Sequence, residues 1–380
     1  MKYILPVSIW IIIMILPAGC KKDEFNWGEN VGDITYSGNV VFLGDKELAL
    51  LKEVTANRIV FTEKAGEIEK ITDMSILVIG VSQKTPYGLL RKVNSIQTNG
   101  AEIAITTTDA LLADAIKEGT IQFQKKLLEK DFKLKSKTDG VLVKGLDKSF
   151  DGLAVTLDNF EIFKDGTKIT RLNGAIGISP EIDITIIIKS NKLIGINLIT
   201  TLNKIDEVTV SSNGAFNGSK EIVAAEFIHS PVIINSLVFV PEVTISCGFD
   251  GTISGEVTSG VRQDRVITSK MSYLNSKWDE DPLTQTVNFD FTKPQITDNS
   301  DLEIFSGPEI NIRLFGVPIQ VVKATGFYSL EAQKTNSPFW KLFIGGDGHN
   351  TVKSDIFGLK DDHTLNMTIQ ASEIGNANGK

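Results

Sequence analysis

Ile182-Asp183-Ile184-Thr185-Ile186-Ile187-Ile188-Lys189, followed after Ser190-Asn191 by Ile194-Gly195-Ile196-Asn197-Leu198, alternates apolar and polar residues with a period of two. Successive strand side chains point to opposite faces, so Ile182, Ile184, Ile186 and Ile188 share one face and Asp183, Thr185 and Lys189 the other. That is a half-buried strand, and Ile194, Ile196 and Leu198 continue it. The dipeptides Asn99-Gly100, Asp165-Gly166, Asn213-Gly214 and Asp250-Gly251 punctuate similar runs elsewhere. Asn, Asp and Gly tolerate the positive φ of tight hairpins, so each predicts a turn between antiparallel strands.

Working outward, the chain reads as all-β and mainly antiparallel. Strands are expected around Leu48–Val54, Arg58–Thr62, Ile76–Ser82, Leu89–Thr98 and Ala101–Thr107. They predict a small β-barrel-like module over residues 33–128. One short helix is expected from Asp109 to Glu118, capped by Thr108, striped by Leu111, Leu112, Ala115 and Ile116, and ended by Gly119. A Lys-rich stretch, 129–150, reads as a linker. Residues 151–372, rich in Ile, Val, Thr and Phe, predict an extended β-sandwich or two stacked β domains, with a softer boundary near Asp281-Pro282. The small polar residues of 373–380 read as a disordered tail.

Composition excludes several functions. The 380 residues carry a net charge of −8 and no long basic face, which argues against nucleic acid, where phosphates need clustered Lys and Arg. Two cysteines make neither a disulfide scaffold nor a four-cysteine zinc site. No nucleophile elbow, zinc-protease His-Glu spacing or phosphate-binding Gly-rich loop occurs, so no enzyme activity and no cofactor are assigned.

Some residues remain as candidates. Asp147, Ser149, Asp151 and Gly152, with Asp158 eleven places after Asp147, match calcium-loop spacing, though a surface turn is the preferred reading. Asp279-Glu280-Asp281 after Trp278, and Asp298 with Asp301 and Glu303, are acidic loops of a kind that can hold calcium or sit near a sugar, with solvated turns the preferred reading. A hydrolase would require Asp279, Asp281, Asp298 and Asp301 to converge. His349 in Gly345-Gly346-Asp347-Gly348-His349 and His363 after Asp361-Asp362 would meet at a metal only if the chain folds back; exposed loop imidazoles are preferred. His229 reads as a strand end, Cys247 as a small buried hydrophobe and Trp340 as core.

The amino terminus is the most specific signal. Lys2 precedes an apolar run of about fourteen residues that passes through Trp10 and ends at Leu16, too short to cross a bilayer comfortably and of the length of a secretory h-region. It ends in Leu16-Pro17-Ala18-Gly19-Cys20, which resembles a bacterial lipoprotein signal, with Pro17 a departure from the usual Leu. The resemblance implies cleavage after Ala18-Gly19 and lipid attachment, palmitate included, at Cys20. The mature chain is then 380 − 19 = 361 residues. Lys21-Lys22-Asp23-Glu24 resembles the charged signal that sends Gram-negative lipoproteins to the outside of the outer membrane. Residues 20–32 read as a tether. A second resemblance, to an amino-terminal module of uncharacterised bacterial surface proteins, rests on Thr85-Pro86-Tyr87-Gly88-Leu89-Leu90-Arg91-Lys92-Val93 with Asp109-Ala110 and Asp114-Ala115-Ile116. It implies an address and no catalytic residue. The expectation is a non-enzymatic, surface-exposed outer-membrane lipoprotein with an unassigned protein or glycan partner; a lipid or glycan carrier, its groove lined by Ile182–Ile188 and Ile194–Ile199, is the alternative.

Overall fold

The computed structural model describes residues 33–143 and 150–378. Strands account for 71% of it and helix for 6%, so the all-β reading holds. β1 (Thr35–Tyr36) is short. β2 (Val40–Leu43), β3 (Leu51–Val54), β4 (Arg58–Phe61), β5 (Ile76–Ile79), β6 (Leu89–Asn99) and β7 (Glu102–Asp109) form a curled six-stranded sheet in the order β2-β5-β6-β7-β4-β3. The β2–β5 pair is parallel. The sheet wraps its own core of Leu43, Phe61, Ile68, Leu77 and Ile103, and turns Ile76, Val78 and Leu90 toward the rest of the molecule.

The larger unit is a sandwich of two eight-stranded sheets. Its strands are β8 (Ile116–Lys126), β9 (Phe132–Lys137), β10 (Val141–Val143), β11 (Leu153–Asp165), β12 (Lys168–Lys189), β13 (Lys192–Ser212), β14 (Phe216–His229), β15 (Val232–Ile234), β16 (Leu237–Ile253), β17 (Val257–Leu274), β18 (Lys277–Ile296), β19 (Ser300–Leu314), β20 (Val317–Ala332), β21 (Trp340–Val352) and β22 (His363–Asn376). The back sheet runs β1-β8-β12-β13-β17-β18, with β10 and β11 continuing beside β12. The front sheet runs β22-β21-β20-β19-β16-β14-β9, with β15 on β16. All pairings within the sandwich are antiparallel.

The alternating Ile rows do what their period demands. Ile182, Ile184, Ile186, Ile188, Ile196 and Leu198 are buried in the core between the sheets, where Phe123 stacks on Phe239 at 4.8 Å. They are packed against the front sheet and do not line an open groove. The β18 edge meets the β22 edge: Trp278 stacks on His363 at 4.1 Å, and a Cβ on Gly375 would lie against Phe291.

Several expectations need correction. The helix is only Leu112–Ala115, begun by Leu111, whose backbone N–H bonds the Asp114 carboxylate at 2.9 Å; Thr108 lies in β7 and Ile116 already pairs with Tyr36 in the back sheet. Asn99-Gly100 and Asp165-Gly166 are hairpin turns, but Asn213-Gly214 carries the chain from back sheet to front, and Asp250-Gly251 lies inside β16. Asp281-Pro282 lies within β18, an edge strand whose outer amides need no partner, so Pro is tolerated. The stretch 129–150 contains β9, paired with β14, and β10, paired with β11. Glu373 and Asn376 pair with β21, so the tail expected over 373–380 is strand through Asn376.

Candidate functional site

Cys20, Ala18, Gly19 and Asp147 lie outside the described residues. Asp151 pairs with Lys126 at 3.2 Å, and the chain runs extended from Leu153, so Asp158 is carried roughly 20 Å away at strand rise and no chelating curl joins the two. Asp281 pairs with Lys270 at 2.9 Å near one end of β18, and Asp298 with Lys334 at 3.2 Å beyond the other. Fifteen strand residues separate Asp281 from Ile296, roughly 50 Å along the chain, so these carboxylates do not converge. Trp278 has one face on His363 and lies 5.1 Å from Tyr273, so it is no free sugar platform. His363 Nε2 meets Glu280 Oε1 at 2.6 Å, while His349 pairs with Asn366 further along β22. Among the described residues no three His, Cys, Asp or Glu side chains are grouped to hold a metal. Cys247 is buried, its thiol pushed up to about 12 by desolvation, with the Glu221 charge adding to it.

What the fold does bring together lies on the outside of the front sheet. There a groove of about 880 Å³ crosses β19, β20, β21 and β22. Phe305 and Phe327 are direct cross-strand neighbours on its floor, each half-buried. Their rings lean apart onto glycines. A Cβ on Gly248 of β16 would come within 2.5 Å of Phe305 Cζ, and a Cβ on Gly345 of β21 would collide with Phe327 Cζ. Without these two glycines the rings could not extend over the neighbouring strands. Around them stand Glu303, Lys323, Thr325, Asp347, Asn366 and Thr368. Glu303 lies directly opposite Asp250; burial first, then the charges of Asp250 and Asp347, hold its carboxyl above the ordinary range.

Beneath this floor the sandwich core is charged. Lys204 and Asp206 on β13 and Gln263 and Arg265 on β17 point inward, all within 5% of full burial. Lys204 Nζ pairs with Asp206 and donates to the Ser306 carbonyl at 2.8 Å; the Ser306 hydroxyl donates to Asp206 at 2.8 Å. Arg265 donates to Gln263 Oε1 and, through Nη2, to the Gly345 carbonyl at 2.5 Å. Gln263 Nε2 donates to the Phe327 carbonyl at 3.2 Å. Arg265 Nη1 is left without a hydrogen-bond acceptor. A Cβ on Gly326 would crowd Lys204 and Asp206, and one on Gly346 would sit 2.9 Å from Arg265 Nη1. Glycine at both positions makes room for the charges. The carbonyls held from below, those of Ser306, Phe327 and Gly345, belong to the backbone that carries the two rings above. Burial lowers the Lys204 and Arg265 values, while Asp206 opposes the drop in each.

A second cleft, about 600 Å³, lies where the curled sheet meets the front sheet. Most of the Thr85–Val93 motif lies beside it. Thr85 bonds Ser82 and the Gly80 carbonyl, and Gly88, at φ +64°, passes so close to Val238 and Ile79 that a Cβ would clash. Tyr87 donates to Glu242 Oε1 at 2.6 Å, and Arg313 Nε donates to Oε2 of the same carboxylate at 2.7 Å. Burial and Glu242 push the Tyr87 phenol up to about 12. Arg91 pairs with Asp109 across β6 and β7. In this molecule the motif clamps the curled sheet to the sandwich.

Reading the sequence missed both layers of the front-sheet site. Its signals were present as breaks in alternation: Lys204 and Asp206 occupy the inward phase of β13, and Phe305 follows Glu303 on the outward phase of β19. No family model, no curated protein and no solved structure matches this chain.

Proposed function

We propose that the chain is a non-catalytic binding lipoprotein of the outer membrane, held by lipid on Cys20, facing the exterior, and using the outside of the front sheet as its ligand face. The binding role is carried by one observation: a solvent-facing groove whose backbone is secured by buried charges. Burying charges costs several kcal/mol per ion and gains little over an apolar core, so such a network is a poor choice for stability alone. It suits a floor that must keep its shape, since a binding site needs rigid support behind the residues that touch ligand. The anchor and address rest on Leu16-Pro17-Ala18-Gly19-Cys20 and the charges after it. Two or more acyl chains hold a protein firmly where one binds marginally. Residues 21–32 reach on the order of 40 Å when extended, enough to lift the sandwich off the headgroups.

Palmitate labelling with and without Cys20→Ala, beside protease shaving of intact cells carrying a carboxyl-terminal tag, tests anchor and orientation. Label lost in the variant and tag lost from unbroken cells are expected. An unlabelled wild type removes the anchor; a labelled but protected protein places it on the periplasmic side.

A further inference from the structure

We infer that the front-sheet groove binds a neutral oligosaccharide, stacked on Phe305 and Phe327. This rests on the reading of the groove as the ligand face and is independent of the lipid anchor.

The floor sets ligand shape. Phe305 and Phe327 sit on neighbouring strands, and their rings lean outward over Gly248 on one side and Gly345 on the other. With strands about 4.8 Å apart, the two ring faces spread over four strands and lie roughly 10–15 Å from one another. A ligand using both must be a chain several rings long with flat apolar faces. The sheet supplies both aromatic surfaces ready-made, because the glycines leave room for the rings over the neighbouring strands and the buried cations hold the Ser306 and Gly345 carbonyls from below.

The rim sets ligand chemistry. Thr325, Thr368 and Asn366 offer donors and acceptors; Glu303 and Asp347 accept; Lys323, paired with Glu221 at 3.4 Å, has further N–H groups to donate. A hydrocarbon would strip water from all six without replacing it. A polyanion would meet Glu303 and Asp347, with Glu221 beside them. A polycation would suit the carboxylates, since Lys323 already pairs with Glu221 at 3.4 Å, but its flexible stems offer no flat apolar face to cover the two phenyls. Hydroxyls donate and accept alike, so a pyranose chain answers every rim group while its apolar ring faces cover the phenyls.

The test is binding of the full mature chain to an array of neutral oligosaccharides of three to six sugars, with spermidine and oligolysine as competitors, followed by titration calorimetry. Binding of at least one oligosaccharide is expected, weakened about tenfold or more by Phe305→Ala and by Phe327→Ala. Phe289→Ala, an exposed ring on the back sheet, should leave it unchanged. Phe305→Leu keeps the apolar bulk and removes the aromatic face, so it covers the case in which the alanine variants unfold. No oligosaccharide binding, or binding indifferent to Phe305→Leu and Phe327→Leu, overturns the inference. Phe-dependent binding of oligolysine or spermidine alone would retain the groove as the ligand face and discard the sugar.

Discussion

The sandwich core is two cores in one. Around Ile184, Ile186, Ile196 and Leu198, with Phe123 on Phe239, it is apolar. Along the same strand β13 the row turns polar, first at Thr200, which joins buried Gln320, Asn350 and Ser269, and then, two residues beyond Leu202, at Lys204 and Asp206, which are flanked by Arg265 and Gln263 and faced by Ser306. Further along, Val208 and Val210 restore the apolar row. The apolar part holds the sheets together; the charged belt holds particular carbonyls of the front sheet in place. Uninterrupted burial would have served stability, and the interruption coincides with the outer groove. The difference teaches that a break in a hydrophobic row can mark what lies on the other side of the sheet.

The comparison can be broken at either end. Asp206→Ala leaves Lys204 and Arg265 buried without a counter-ion and should cost about 4 kcal/mol in chemical denaturation. Replacing Lys204, Asp206, Arg265 and Gln263 together by Met, Leu, Met and Leu should instead leave stability near wild type or above it. If the single variant is harmless, the belt is hydrated and the contrast is lost. In the apolar part, Ile186→Ala should cost about 3 kcal/mol, measured the same way, through lost transfer energy and a cavity between the sheets. At the clamp, Tyr87→Phe removes the hydrogen bond to Glu242 and should cost about 1 kcal/mol, read as faster amide exchange in β5 and β6 with little change in the sandwich.

The smallest effect lies on the groove itself. Folding raises the Glu303 value, so it disfavours the carboxylate: the associated stability is present when Glu303 is protonated, below its ordinary range, and is lost as pH rises through the raised folded value. Glu303→Gln should therefore gain about 0.5 kcal/mol at pH 7 and nothing at low pH. A constant offset across pH would show that neither burial nor the charges of Asp250 and Asp347 raise its value.

Much of the fold was legible because strand periodicity is local. The rows of β12 and β13, the strands β4 to β7, buried Cys247 and core Trp340 all follow from which phase of the alternation is apolar. Turn chemistry was only half legible. Hairpins at Ser190-Asn191, Asn235-Ser236 and Asn275-Ser276 place both residues at positive φ without any glycine, whereas Gly251, at φ +131°, lies within a strand paired without interruption on both sides. A dipeptide states which φ it tolerates, not whether the chain reverses there. The helix expected over Asp109–Glu118 shrank because Ile116 is worth more as a buried strand residue of the back sheet than as part of an isolated two-turn helix.

From the sequence alone came an all-β chain, its inward and outward rows, the export-like amino terminus and the absence of a familiar catalytic motif, since each depends on residues close together along the chain. Only the tertiary structure decided that Gly248 and Gly345 would receive the rings of Phe305 and Phe327, that Lys204 would reach the Ser306 carbonyl 102 residues away, and that Asp281 and Asp298 would stand far apart. Those outcomes depend on strand order and on contacts between strands distant along the chain, such as β16 with β19 and β13 with β19, which no local pattern encodes.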